Sequence, residues 1–220
     1  MSGDSGYVRV VSTSVRLPAA TAAFLLAVAM AGCDNADDAP IAAPTPPSAS
    51  AAGVTARPTA PDDPAYTADG LDLCARTDVK VVADLASEVT REDPQPPVAR
   101  PGAACLFEMR TKAGYQANLR VEASTLATAE EARQLYRGTR RATGMTPAGA
   151  VPGVGEEAEA FTKRSSPGFR YAEYMVHART GNLVVKVWLA VGGESYVANS
   201  VLAEKSLAIL RATQAAVPTA

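Results

Sequence analysis

The stretch that decides the fold is LVVKVWLAV, residues 183–191. Leu or Val occupies every odd-numbered position, whereas a Lys and a Trp fall on the opposite face, which is the alternation of a half-buried strand. A Gly-Asn turn at residues 181–182 joins this stretch to another alternating segment, residues 169–178. The sequence therefore predicts a β-hairpin whose second strand presents the clearest core-facing stripe in the chain.

Helical and strand-like patterns alternate around this hairpin. Apolar residues recur at helical spacing from Val79 to Val89, where Asp78 can cap the helix. Two further helices are predicted, one from a capping-box sequence at residues 128–131 to about residue 143 and one over residues 195–213. Further segments with period-two alternation are 105–109, 117–123 and 158–163. This order predicts an α+β domain with an antiparallel sheet of about five strands, on which two to three helices pack.

The N-terminal segment has the features of an export signal that ends in a lipidated cysteine. Basic residues precede an uncharged, mostly apolar stretch, residues 17–31, whose core is too short for a membrane span of about 20 residues. Two small residues stand directly before Cys33, and this arrangement resembles a lipobox with Met30 at the position usually held by Leu. We therefore expect residues 1–32 to be a signal peptide and Cys33 to carry the lipid.

Residues 33–66 consist mainly of Ala, Pro, Ser, Thr and Asp and contain almost no large apolar side chain. Such a composition cannot form a core, so we expect a disordered linker. The abrupt change after Cys33 also argues against the alternative that the apolar stretch stays as an uncleaved anchor or a buried helix. Residues 67–217 then remain as one domain, long enough to bury a core.

Two cysteines, Cys74 and Cys105, remain in the domain once Cys33 is assigned to lipid. In an oxidising compartment an even pair with no third thiol predicts a disulfide, which in the loop-entropy model contributes roughly 3 to 4 kcal/mol. A metal site or a thiol nucleophile would need more ligands or a nearby base. The single histidine, His177, is far away in sequence and supplies neither.

No other motif predicts catalysis or a cofactor. The glycine-rich residues 151–155 lack the Lys-Ser/Thr of a phosphate-binding loop, and no elbow motif surrounds Ser165 and Ser166. With 21 basic and 23 acidic residues the net charge is −2, which argues against nucleic-acid binding. We expect no enzyme, no metal and no cofactor. One basic cluster is interpreted as a solvated helix face, with a site for an anionic ligand as the alternative: Arg133, Arg137, Arg140 and Arg141.

A candidate binding surface lies on the outer face of the predicted core strand. Trp188 and Lys186 project there, and Tyr174 or Tyr171 from the neighbouring strand are expected beside Trp188. Such a patch suits a ligand or a protein partner. The alternative is that a helix covers this part of the sheet and that Trp188 is simply packed. The C-terminal helix, residues 195–213, carries two apolar stripes, so it needs either the domain's own core or a partner on each.

The chain resembles actinobacterial cell-envelope lipoproteins of a domain family of unknown function. The resemblance rests on Cys33 with its Pro/Ala linker, on Leu-Cys at residues 73–74, on Ala-Cys-Leu-Phe at residues 104–107 and on VPGVGEEA at residues 151–158. It implies a small α+β module related to extracytoplasmic sensor or binding domains, with no shared catalytic residues.

These observations together predict a membrane-anchored lipoprotein on the extracytoplasmic face of the cell membrane. We expect its domain to be a non-enzymatic binding or sensor-like module for a small ligand or an envelope partner. The alternative is an accessory or structural subunit of an envelope protein complex. A large pocket lined by aromatic residues would favour ligand binding, whereas an exposed apolar helix face would favour the accessory role.

Overall fold

The computed structural model describes residues 65–166 and 168–219. The predicted signal peptide, the lipidation site Cys33 and nearly all of the predicted linker lie outside these residues. No helix within the described ranges is long and apolar enough to cross a membrane. The elements are, in chain order, α1 (Leu73–Arg76), a 3₁₀ helix (Val79–Val82), β1 (Glu88–Gln95), β2 (Gly102–Arg110), β3 (Gln116–Thr125), α2 (Ala129–Ala142), β4 (Thr146–Ala150), β5 (Glu157–Ser165), β6 (Arg170–Thr180), β7 (Leu183–Gly193) and α3 (Asn199–Ala216).

The seven strands form one sheet in the order β1-β2-β3-β7-β6-β5-β4, and every neighbouring pair is antiparallel. β7 is therefore the central strand, between β3 and β6. The predicted hairpin of β6 and β7 is confirmed, because a two-residue turn pairs Thr180 with Leu183.

The main core lies between the sheet and α3. The stripe predicted on β7 is confirmed, since its five Leu and Val side chains are at most 2 % exposed. They belong to the same buried cluster as Leu202, Ile209 and Leu210 of α3. Burying a side chain of this size stabilises the fold by about 1.5 to 3 kcal/mol, so this layer contributes substantially to the stability.

The opposite face of the sheet is covered by two separate segments. α2 packs on β6 and β7, where Ala132 and Tyr136 contact Val184. On the other side of β7, the backbone N–H of Val98 in the loop between β1 and β2 donates to Glu122 at 2.8 Å. The domain is thus α+β in three layers. The layer formed by α2 and the loop between β1 and β2 covers its face of the sheet only in part.

The prediction of about five strands missed the two edge strands, β1 and β4. All residues of β1 and β4 are exposed or half-buried, so neither strand shows the apolar alternation that marks a strand with one buried face. The predicted helix from Val79 to Val89 is wrong beyond its first turn. Asp78 caps a 3₁₀ helix that ends at Val82, and Val89 pairs with Met109 as part of β1.

The predicted disulfide is confirmed. Cys74 of α1 and Cys105 of β2 are bonded, with their Cα atoms 5.2 Å apart. Cys105 is fully buried in the α3-side core. Because α1 has only four residues and could not persist as an isolated helix, the bond holds this N-terminal segment on the sheet.

Candidate functional site

The face of the sheet opposite α3 is lined by polar and aromatic side chains. Where β3, β7 and β6 run side by side, Arg120 opposes Trp188 and Trp188 opposes Met175. In the adjacent row Glu122 opposes Lys186. We call this region the Trp188 surface; it consists of Arg120, Glu122, Glu173, Lys186 and Trp188.

Trp188 is half-buried at the centre of this surface. Its indole Nε1–H donates to Oε2 of Glu173 at 3.1 Å. Its opposite neighbour Met175 is 5 % exposed and packs beneath the end of α2, where the Thr143 hydroxyl lies 3.7 Å from the Met175 sulfur. Trp188 therefore has one polar partner and retains part of its ring area for contact with another molecule.

Glu122 forms ion pairs with both basic residues that flank Trp188. Its carboxylate is only 4 % exposed and lies 3.0 Å from Nζ of Lys186 and 3.2 Å from Nη2 of Arg120. The same side chain accepts the backbone N–H of Val98. A buried carboxylate needs such partners, because an unpaired charge at this depth would strongly destabilise the fold. Lys186 and Arg120 are thus held in fixed positions beside the indole.

Tyr171 lies on the same face as Trp188, as expected, but one row beyond Glu173. Its hydroxyl accepts a hydrogen bond from Nδ2 of Asn118 at 2.8 Å. Burial raises the pKa of Tyr171, and the negative charge of Glu173 adds to this, although the bond from Asn118 acts in the opposite direction. The phenol therefore stays neutral at physiological pH and serves as a hydrogen-bonding group.

Tyr174 lies on the opposite face, so the expectation that it stands beside Trp188 is wrong. It opposes Leu189, belongs to the α3-side core and is 6 % exposed. Burial raises the pKa of Tyr174. The predicted turn at residues 181–182 was sufficient to place Tyr174 correctly. A two-residue turn that pairs Thr180 with Leu183 also pairs Met175, not Tyr174, with Trp188.

The residues that sequence reasoning missed are Arg120, Glu122 and Glu173. The alternation of β3 and β6 places these residues on the outer face of the sheet. Identifying them as neighbours of Trp188 also requires the strand order, which brings both strands beside β7. The strand order depends on contacts that are distant in sequence. The patterns of the single strands therefore did not identify these three residues as neighbours of Trp188.

His177 is fully buried next to this surface, beneath α2. Its ring stacks on Tyr136 at a centroid distance of 4.2 Å and meets the edge of Phe161 at 5.5 Å. Burial lowers the pKa of His177 to about 4, and the positive charges of Lys186 and Arg140 contribute to this shift. The imidazole is therefore neutral and packed at physiological pH.

A separate hollow of about 480 Å³ lies between α2 and the loop that joins β4 to β5. Buried Arg179 binds both Glu156 and Glu157 beside this hollow and holds the loop on β6. At Gly155 the backbone φ is +68°, and a Cβ would lie 2.5 Å from the carbonyl oxygen of Arg179. The glycine-rich segment is thus a tight turn packed against β6.

Both apolar stripes of α3 pack on the domain's own core. Leu202, Ile209 and Leu210 are buried, and Ala203 and Leu207 are partly buried against the same cluster.

Among the described residues, no group of three or more His, Cys, Asp or Glu side chains could hold a metal ion. No protein-family model, no curated protein and no solved structure matches the chain.

Proposed function

We propose that this protein is a membrane-anchored extracytoplasmic lipoprotein whose domain binds an envelope component, either a protein or a small ligand, without catalysing a reaction. The proposed anchor is the lipid on Cys33, which follows the signal-like segment. The bond between Cys74 and Cys105 supports an oxidising compartment, because structural disulfides persist mainly outside the cytosol.

The proposed binding role rests mainly on the half-buried position of Trp188. A Trp with a satisfied Nε1–H and a partly exposed ring combines apolar contact area with polar specificity, which is typical of residues that dominate binding interfaces. Arg120 and Lys186 flank the ring at positions set by Glu122. A partner would therefore meet an aromatic centre with directional hydrogen-bond donors beside it.

An accessory role through α3 has less support. That role would use an exposed apolar helix face, whereas the large side chains of both α3 stripes contact the sheet-side core. The Trp188 surface remains the better candidate for contact with a partner.

The fluorescence of Trp188, the single tryptophan of the chain, tests this proposal. In the purified full chain we expect quenching by acrylamide, and binding of the envelope component should reduce that quenching. Trp188→Ala should abolish binding and lower the free energy of unfolding by less than the roughly 3 to 5 kcal/mol that a fully buried Trp contributes. Strongly blue-shifted emission that acrylamide does not quench would show a packed Trp188 and overturn the proposal.

Crosslinking in intact cells provides a matched spatial control. A photoreactive residue at Val98, whose backbone binds Glu122, lies beside the Trp188 surface, whereas one at the exposed Glu204 of α3 lies on the other side of the sheet. If the component is a protein, we expect a crosslinked species from the Val98 position alone. Trp188→Ala should remove this species, and its persistence would argue against the surface.

A further inference from the structure

A second cluster of charged and aromatic side chains lies at one end of the sheet. It is formed where β5 ends, where β6 begins and where β7 leads into α3, because Ser165, Tyr171 and Gly192 stand side by side in these strands. We call it the arginine–tyrosine cluster; its members are Arg164, Ser166, Arg170 and Tyr196.

Two guanidinium groups in this cluster share one aromatic ring. Cζ of Arg164 lies 5.1 Å from the ring centroid of Tyr196, and Cζ of Arg170 lies 5.5 Å from it. The hydroxyls of Ser166 and Tyr196 are hydrogen-bonded at 2.8 Å, and Nη1 of Arg170 donates to the Ser166 hydroxyl at 3.1 Å. The bond with Ser166 lowers the pKa of Tyr196, and the charges of Arg170 and Arg164 add to this effect.

The arginines of this cluster have no direct ion-pair partner among the described residues. Arg91, Arg120, Arg133, Arg140 and Arg179 each lie within 4 Å of a carboxylate. In contrast, neither Arg164 nor Arg170 has such a partner within residues 65–166 and 168–219. Two cations close to one ring repel each other, and a bound anion would reduce that repulsion.

A hollow of about 490 Å³ adjoins the cluster, and Ser166 and Arg170 form part of its wall. Tyr115 and Phe169, whose ring centroids are 5.6 Å apart, line another part. The exposed carboxylate of Glu194 also lines the hollow, next to Gly193, which pairs with Arg170.

We propose that the arginine–tyrosine cluster binds a phosphate monoester. The planar guanidinium groups of Arg164 and Arg170 match phosphate oxygens in charge-assisted hydrogen bonds. Because the Ser166 and Tyr196 hydroxyls share one hydrogen bond, the one whose hydrogen that bond does not use supplies a further donor. Two positive charges suit a doubly charged phosphate monoester better than a singly charged carboxylate. The group bearing the phosphate packs on Tyr115 and Phe169. This site is distinct from the Trp188 surface and does not depend on it.

Calorimetric titration of the purified full chain tests the site, with glycerol 3-phosphate as the probe at constant ionic strength. We expect saturable binding that weakens at least tenfold in the double variant Arg164→Gln/Arg170→Gln, because each bond to a charged group contributes about one power of ten or more. The matched control is Arg137→Gln/Arg211→Gln, which removes the same charge from two exposed helix positions and should leave the affinity unchanged.

A vesicle-binding experiment distinguishes a soluble phosphate ester from a lipid headgroup. Phosphatidylcholine vesicles that contain phosphatidic acid present the same monoester in a lipid headgroup. Binding of glycerol 3-phosphate alone would support the site for soluble esters, and additional vesicle binding that requires Arg164 and Arg170 would extend it to lipid. No saturable binding to either probe, or equal weakening by both double variants, would overturn the proposal.

Discussion

His177 is a titratable side chain enclosed between α2 and the sheet. Burial removes water from the ring, and among the described residues neither ring nitrogen has a hydrogen-bond partner. Lys186 and Arg140 face it with positive charge, and Glu159 on β5, which is 3.4 Å from Arg140, stands opposite it. A proton on His177 would thus create a buried cation without a direct partner, which explains the lowered pKa.

We predict that this histidine makes the domain less stable in acid. The folded pKa is about 4, whereas an unfolded histidine titrates near 6.5, so the unfolded chain takes up the proton first as the pH falls. The free energy of unfolding should then decrease from about pH 6.5 to pH 4, by up to roughly 3 kcal/mol. Urea unfolding at several pH values measures this decrease.

The variant His177→Phe is the control for this prediction, because it keeps a planar ring against Tyr136 and Phe161 but cannot be protonated. It should lose most of the stability change between pH 6.5 and pH 4. An unaltered pH dependence in this variant would assign the effect to other groups.

The loop between β4 and β5 depends on a buried ion cluster. Arg179 is 1 % exposed, whereas its partners Glu156 and Glu157 are partly exposed. Gly181 also donates its backbone N–H to Glu156 at 2.6 Å, and this bond, followed by the contact with Arg179, lowers the pKa of Glu156. Removing the two carboxylates is therefore expected to destabilise the fold more than removing Arg179, because only Arg179 is fully buried.

This asymmetry predicts the order of two stability losses. The double variant Glu156→Gln/Glu157→Gln should lower the free energy of unfolding by about 3 kcal/mol or more, because it leaves a buried guanidinium without a counter-charge. Arg179→Met should cost only about 1 kcal/mol, since the two carboxylates can be hydrated and the apolar side chain fills the site. Denaturant unfolding at pH 7 compares the two, and the reverse order would contradict this account.

The edge strands limit how the domain can meet a partner. β1 carries several charged residues, Pro94 and an irregular register near Val89, and β4 carries Pro147 and a register shift before Gly149. These are the features that block further strand pairing at a sheet edge. A partner is therefore expected on a face or an end of the sheet, where the Trp188 surface and the arginine–tyrosine cluster lie.

The whole molecule is proposed to be held at the membrane by Cys33, and this can be measured directly. Mass spectrometry of the membrane fraction should find the mature N-terminus at Cys33 with two or three fatty chains. Two chains suffice for stable anchoring, since each buried CH₂ contributes about 0.8 kcal/mol. Cys33→Ser should yield an unprocessed precursor or a released domain. An unmodified Cys33 thiol in membrane material would contradict the proposal.

Local sequence patterns were sufficient for part of this architecture. The Leu and Val stripe of β7, the turn at residues 181–182 and the start of α2 were all predicted correctly. At α2 the Thr128 hydroxyl accepts the N–H of Glu131 at 3.1 Å, and the Glu131 carboxylate accepts the N–H of Ala127 at 3.1 Å. Each feature depends on residues that are close together along the chain.

The sequence by itself determined the α+β class, the central hairpin and the disulfide, because periodicity, capping and thiol count do not depend on distant contacts. Only the tertiary structure decided that β1 and β4 are strands, since their backbones pair without a buried side-chain face. It also placed Tyr174 in the core and brought Arg164, Arg170 and Tyr196 together. Strand order and the packing of loops across one end of the sheet set these contacts, and both arise from interactions between residues far apart in the chain.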